Sequence, residues 1–187
     1  YEADSLIRNP NYFGAMMVRL HDVDGMISGL TAHYPDTIRP ALEIVKMNPK
    51  YHRVAGMYIM ITKKGTFFFA DTTVNINPTA EELADIAIMT ATSAKRFNIE
   101  PKIALLSFSN FGSAPDAYSA KVRKAVELIK AQAPELVVDG EMQADTAVVP
   151  EIIDELYPFS DLKGGANVLI FPDLNSGNIA YKLMNRI

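Results

Sequence analysis

The chain has 187 residues, of which 49% are apolar and 21% charged, with a formal net charge of -4. That length and apolar share fit one ordinary globular domain, or one domain with a small lobe. Lys and Arg are scattered among acids with no basic block, which argues against a nucleic-acid footprint. The absence of cysteine rules out disulfides, thiolate zinc sites and a cysteine nucleophile, and is compatible with a reducing cytosol. No apolar run approaches the roughly 20 residues of a membrane-spanning helix. The opening "YEADSLIRNPNY" lacks the basic and apolar regions of a signal peptide. A chain that begins on Tyr1 rather than Met is expected to be a piece of a longer protein.

In chain order, Asn9-Pro10 reads as a cap and first helical position before "NYFGAMMVRL". "DGMISGL", Asp24 to Leu30, reads as a short strand leading into the loop "TAHYPD". Asp36 is placed to cap a helix from about Thr37 to about Val45, with Pro40 in its first turn. "RVAGMYIMITKKGTFFFADTTVN" predicts an antiparallel hairpin, Val54 to Thr62 and Thr66 to Ala70, joined by Lys63-Lys64-Gly65. The helix signal is clearest in "NPTAEELADIAIMTATSAKRF". Asn77 caps it, Pro78 starts it, Glu81 and Glu82 sit at the positive dipole end, and Lys95 and Arg96 at the negative end. Leu83, Ile86, Ala87, Ala91 and Ala94 form its apolar stripe.

A strand-then-helix rhythm follows: "KIALLSF" before "APDAYSAKVRKAVELIKAQ", "ELVVDG" before "QADTAVVPEIIDEL" with a break at Pro150, and "ANVLIF" before a last helix. Right-handed crossovers then imply an α/β fold: a mainly parallel sheet covered by helices on both faces, with the hairpin added.

In such a sheet ligands bind beyond the carboxyl ends of the strands. That selects "TAHYPDTIR", "SFSNFGSAPD", "DGEMQAD" and "PDLNSGN" as loops that could converge. "SFSNFGS" offers Ser107, Ser109, Asn110 and Gly112 just before a helix whose free N–H groups favour an anion, although the same residues make ordinary helix-entry turns. "LNSGN" offers Asn175, Ser176 and Asn178, with Gly177 permitting close backbone approach. Arg39, beside Thr37, falls in a predicted first turn where the helix dipole disfavours a cation. A bound phosphate or carboxylate would offset that; a local pair with Asp36 or Glu43 is the alternative.

Asp139, Glu141 and Asp145 form an acidic group, and Asp22 with Asp24 a second, but neither has a His or Cys companion. Caps and turns use the same residues, so no metal site is assigned. His21, His33 and His52 fit no ligand spacing and read as surface or loop residues. GxGxxG, GxxxxGK[ST] and GxSxG are absent. No catalytic residue is assigned, and the nine methionines read as core.

Taken together, "DTIRPALEIV", "ADTTVNINPTAEELADIAI", "PKIALLSFSNFGS", "VDGEMQAD" and "GANVLIFPDLNSGNIAYKL" resemble the phosphate acetyl/butyryltransferase family in the same order and at similar spacing. "RNPNYFGAMMVRL", "YPFSDL" and the "SNFGS" form of the loop resemble the version fused behind the catalytic half of bacterial NADP-dependent malic enzymes.

The resemblance implies a two-lobed, usually dimeric transferase that exchanges an acetyl group between coenzyme A and phosphate in a cleft. Arg39 matches a family arginine associated with substrate binding, and the Ser107, Ser109 and Asn110 loop and the Asn175 to Asn178 loop would face that cleft. Residues 1–187 would be one lobe with half the cleft, because the chain stops before the segment that carries the family's Ser-Arg pair and later Asp. The malic-enzyme likeness implies an acetyl-CoA-responsive regulatory or oligomerisation module. Its parent would oxidatively decarboxylate malate to pyruvate with NADP and a divalent metal. The alternative is a lobe of an active phosphate acetyl- or butyryltransferase, with acetyl-CoA or an acyl phosphate as ligand. In either case a cytoplasmic homo-oligomer that binds neither nucleic acid nor membrane is implied.

Overall fold

The computed structural model describes residues 2–49, 51 and 53–187, so His52 lies outside the described residues. These fall into two compact units, Tyr1–Tyr51 and His52–Ile187.

The first unit contains α1 (Glu2–Leu6), α2 (Pro10–Arg19), α3 (Tyr34–Pro40) and a π-helical turn, Ala41–Val45. Asn9 caps α2 as expected: its Oδ1 accepts the Asn11 N–H at 2.9 Å, with Pro10 at the first helical position. α3 starts earlier than expected. His33 holds the cap position and Pro35 sits in the first turn, so Asp36 is a first-turn residue and not the cap. Pro40 therefore closes α3. A proline there cannot donate to the carbonyl four residues back, that of Asp36. The Asn11 side-chain amide donates to this carbonyl instead, at 3.2 Å.

The strand expected at Asp24–Leu30 does not form. An isolated strand leaves its N–H and C=O groups without a ladder, Gly25 and Gly29 weaken it further, and Ile27 and Leu30 are fully exposed. Ala15 and Pro40 are the buried residues of these helices, and the Tyr12 hydroxyl donates to Glu43 at 2.6 Å.

The second unit is a five-stranded sheet of β1 (Met57–Thr62), β2 (Gly65–Ala70), β3 (Lys102–Leu106), β4 (Val137–Met142) and β5 (Val168–Ile170), in the order β1-β2-β5-β3-β4. β1 and β2 form the predicted antiparallel hairpin, and β2·β5, β5·β3 and β3·β4 are parallel. The intervening helices are α4 (Ala80–Arg96), α5 (Ala117–Gln132), α6 (Ala144–Val148), α7 (Pro150–Leu156) and α8 (Leu174–Met184).

Alternation along the strands divides the apolar residues between the two faces. Phe68, Ile103, Leu105, Val168 and Ile170 pack with Leu83, Ile86 and Ala87 of α4 and Val122 and Ile129 of α5. Phe69, Ala104, Leu106 and Leu169 pack with Ala147, Ile153 and Tyr181 on the other face. The predicted three-layer α/β arrangement and the α4 stripe are both present.

The α4 cap is Thr79, not Asn77. Thr79 and Glu82 form a reciprocal capping box, with Glu82 N donating to Thr79 Oγ1 and Thr79 N to Glu82 Oε2. This spacing satisfies two free donors, which Asn77 would not. Among the described residues no helix is long and apolar enough to cross a membrane.

Ile86→Ala, which empties a fully buried site between α4 and the sheet, is expected to destabilise the protein by about 2–5 kcal/mol, and Thr79→Ala by about 1 kcal/mol. Denaturant unfolding measures both.

Candidate functional site

The parallel strands end together. Ala70 pairs with Ile170, Ile170 with Leu105, and Leu106 with Met142, so the loops that follow share one edge of the sheet. The loop after β2 was not singled out from the sequence, yet it carries a dense polar anchor. The Asp71 carboxylate accepts the N–H groups of Gly56 (3.1 Å), Thr73 (2.9 Å), Val74 (3.1 Å) and Asn75 (2.8 Å), and also the Asn75 side-chain amide. The signal was available: "ADTTVN" directly follows an apolar strand, the same criterion that selected the other loops.

The loop after β3 is fixed from β4. Pairing slips between Leu105–Gly140 and Leu106–Met142, so Glu141 is the extra residue of a bulge, a device that re-aims a side chain. Gly140 permits it: its φ is +139°, and a Cβ there would lie 2.6 Å from the Leu105 carbonyl oxygen.

The Glu141 side chain is 0% exposed and ion-paired with Arg123, Nε to Oε2 at 2.9 Å and Nη2 to Oε1 at 3.1 Å. Ser109 Oγ and Gly112 N–H donate to Oε1 at 2.9 and 2.8 Å. Burial pushes this carboxyl up, but the Arg123 guanidinium, the Gly112 N–H and the Ser109 hydroxyl together hold it below the ordinary range. The same pairing raises the Arg123 pKa.

Ser109 is thereby committed inside the protein, and the half-buried Asn110 is committed to a neighbouring loop. Ser109 is fully buried, and its hydroxyl also accepts the Ala114 N–H at 3.0 Å. Asn110 exchanges amide hydrogen bonds with Gln143 at 3.1 and 2.8 Å, while Gln143 Nε2 donates to the Phe108 carbonyl at 2.7 Å. The helix beyond Gly112 begins at Ala117, three residues later than the sequence suggested, and Asp116 caps it.

"LNSG" is also placed differently from expectation. It forms the first turn of α8, not a loop before it. Asp173 is the cap, accepting Ser176 N–H at 2.8 Å, and Ser176 Oγ donates to the Asp173 carbonyl at 2.9 Å. Gly177 lies against the loop after β2, where a Cβ would come within 2.4 Å of the Asp71 carbonyl oxygen. Asn178 Nδ2 donates to the Thr72 carbonyl at 3.1 Å, and Asn175 is exposed.

Between these loops lies a cavity of about 400 Å³ with largely apolar walls, onto which Ser107, Phe108, Tyr118, Asp173 and Ser176 open. Two sequence candidates from separate loops, Ser107 and Ser176, thus share one cavity. Behind it, Lys121 Nζ donates to Asn77 Oδ1 and to the Pro172 carbonyl, each at 2.9 Å. Burial lowers its pKa and the charge of Asp173 opposes the shift. A larger cavity of about 740 Å³ lies at the opposite edge, beside Lys102 and Asn167, away from the strand carboxyl ends.

The acidic group does not assemble. Asp139 accepts Ser160 Oγ at 2.7 Å, Asp145 accepts the Thr146 N–H at 2.9 Å, and Glu141 pairs with Arg123. Among the described residues no group of three or more His, Asp or Glu side chains could hold a metal ion.

In the first unit, Thr37 Oγ1 donates to the His33 carbonyl at 3.3 Å. Arg39 is exposed in the last turn of α3, where the dipole favours a cation. The dipole argument for a bound anion therefore does not hold. Glu43, one of its suggested partners, accepts the Tyr12 hydroxyl, and that bond raises the Tyr12 pKa against the opposing charge of Arg39.

Asp71→Ala, which strands the donors on one buried carboxylate, is expected to cost about 2–4 kcal/mol. Gly177→Ala is expected to cost about 1–3 kcal/mol. Both are read from denaturant unfolding. The Glu141 carboxyl has a lower pKa folded than unfolded, so its contribution is present above the unfolded value and is lost as pH falls through the folded one. Unfolding free energy measured from about pH 6 to pH 3 is expected to drop more steeply for the native chain than for Glu141→Gln.

The family model described as "Phosphate acetyl/butaryl transferase" matches residues 1–187. The chain is 44% identical to the phosphate acetyltransferase of Bacillus subtilis (strain 168), covering 100% of this chain and 58% of the relative. It is 45% identical to that of Clostridium acetobutylicum, covering 99% and 58%. A crystal structure of a phosphotransacetylase from Streptococcus pyogenes superposes with a TM-score of 0.90 at 46% identity, covering 99% of this chain and 57% of that one. The chain thus spans somewhat more than half the length of these relatives, none of which is a malic enzyme. An α/β sheet with this topology, matched by the family model along its whole length, places the chain in the phosphate acetyl/butaryl transferase family.

Proposed function

We propose that residues 1–187 form one lobe of a phosphate acetyltransferase that exchanges an acetyl group between coenzyme A and phosphate. The observation that carries this reading is the cavity at the carboxyl edge of the sheet, where Ser107 and Ser176 meet, in a chain 44% identical to a phosphate acetyltransferase. In this reaction the coenzyme A thiol loses its proton and its sulfur attacks the acetyl carbonyl carbon of acetyl phosphate. The carbon–sulfur bond forms, the bond to the phosphate oxygen breaks, and inorganic phosphate leaves with a proton equivalent to the one the thiol gave up. Such a step depends on orientation and on groups that stabilise the developing negative charge.

The apolar walls and the Ser107 and Ser176 hydroxyls suit an acetyl or pantetheine portion, while Asn175 and Asn178 flank them on α8. Ser109 and Asn110 give the loop its shape, and Gly177 gives α8 its closeness to the sheet edge. The cavity itself offers no lysine or arginine among its lining residues. In the first unit, Arg39, with Thr37 beside it, is the residue we assign to phosphate binding.

The malic-enzyme reading, with acetyl-CoA as effector and NADP and a metal in the parent, rests on "RNPNYFGAMMVRL", "YPFSDL" and "SNFGS". The relatives named above favour the transferase. A cytoplasmic homo-oligomer is the state proposed for either.

The test is acetyl phosphate formation from acetyl-CoA and phosphate by the protein that carries this chain. Absence of turnover, with acetyl-CoA altering its malate oxidation, would replace the transferase with the malic-enzyme reading. Arg39→Ala is expected to leave the circular dichroism unchanged and to raise the KM for phosphate about tenfold, a loss of about 1.4 kcal/mol. An unchanged KM would remove Arg39 from phosphate binding.

A further inference from the structure

We propose that Glu141 and Arg123 form a positioning latch that sets where the loop after β3 presents Ser107 and Phe108 to the cavity; this rests on the transferase reading above. Glu141 leaves the β3–β4 ladder through the bulge at Gly140 and points into the loop. Its carboxylate receives Ser109 Oγ, Gly112 N–H and both Arg123 donors within 2.8–3.1 Å. Its backbone carbonyl receives the Phe111 N–H at 2.8 Å.

Phe111 and Gly112 are successive residues with positive φ, +47° and +86°. A non-glycine residue holds that conformation only where its surroundings over-determine it. This backbone presents the Phe111 N–H to the Glu141 carbonyl and the Gly112 N–H to the Glu141 carboxylate, so one residue of β4 satisfies both donors.

Stability alone does not explain the arrangement: the Arg123 side chain is 44% exposed, so solvent screens its pairing with the buried Glu141. Its geometric effect is specific. The chain from Ser107 to Gly112 is bonded to Glu141 and the Met142 carbonyl of β4 and to Gln143 just after it, so the latch and the cavity wall are ends of one short segment. Arg123, on α5, closes the latch from the far side of the loop. A displacement well below an ångström at Ser107 suffices to weaken a substrate contact.

The experiment compares Glu141→Gln with the native residue in the protein that carries this chain. Glutamine keeps the shape and one acceptor oxygen but puts an amide where Arg123 requires an oxygen. Expected are unchanged circular dichroism, a KM for acetyl-CoA raised about tenfold with kcat within about twofold, and faster hydrogen exchange at the Gly112 and Ala114 amides with Leu105 unaffected. A fall in kcat at unchanged KM with native exchange rates would mean only a smaller active fraction and would overturn the proposal. If the native protein transfers no acetyl group, the transferase reading fails, and the exchange rates alone decide the latch: unchanged protection in Glu141→Gln overturns it. If Glu141→Gln does not fold, Arg123→Gln, whose side chain is 44% exposed, carries the same two readouts with the same meanings.

Discussion

The parallel pairing of β2, β5 and β3 is the constraint from which the rest of the second unit follows. Parallel strands cannot be joined by tight turns and need both faces covered. The chain meets that need with alternating apolar residues, so Phe68 and Phe69, or Leu105 and Leu106, serve opposite cores. Once the strands run the same way, their carboxyl ends lie side by side and the loops that leave them become neighbours. The cavity and the polar anchors around it are consequences of strand direction.

Two buried carboxylates then shape that edge. Asp71 gathers the loop after β2, and Glu141 gathers the loop after β3, each by offering an internal acceptor to backbone N–H groups that no ladder satisfies. Gly177 brings α8 against the first of these loops, and the Gly140 bulge aims Glu141 at the second. Polar residues in these loops hold backbone throughout, Ser109 and Asn110 away from the cavity and Ser107 and Ser176 along its lining.

Much of this fold was legible because its signals are local. Alternation marked the strands, and the stripe from Leu83 to Ala94 marked α4. The capping box at Thr79 and Glu82 was equally local, but Asn77-Pro78 offered a competing cap that the reciprocal bonding of Glu82 overrules. The first unit misled where a signal needed a partner. "DGMISGL" has strand-like residues and no strand to pair with, and Pro35 drew the start of α3 back past Asp36. The roles of Asp71, Glu141 and Arg123 were not legible. They depend on contacts between residues far apart in sequence, and "VDGEMQAD" read alone is an acidic loop. The malic-enzyme expectation rested on three short stretches, each modest by itself, and the relatives named above do not carry it.

Asp116 and Asp173 cap α5 and α8 with carboxylates, one at each helix start facing the strand edge. The two positive helix ends that most resembled anion receptors in the sequence are quenched by the protein itself. The cavity beside α8 is lined by Ser107, Ser176 and Tyr118 together with Asp173 itself. An anion that approaches this edge therefore meets the protein's own carboxylates where two free helix ends would otherwise attract it.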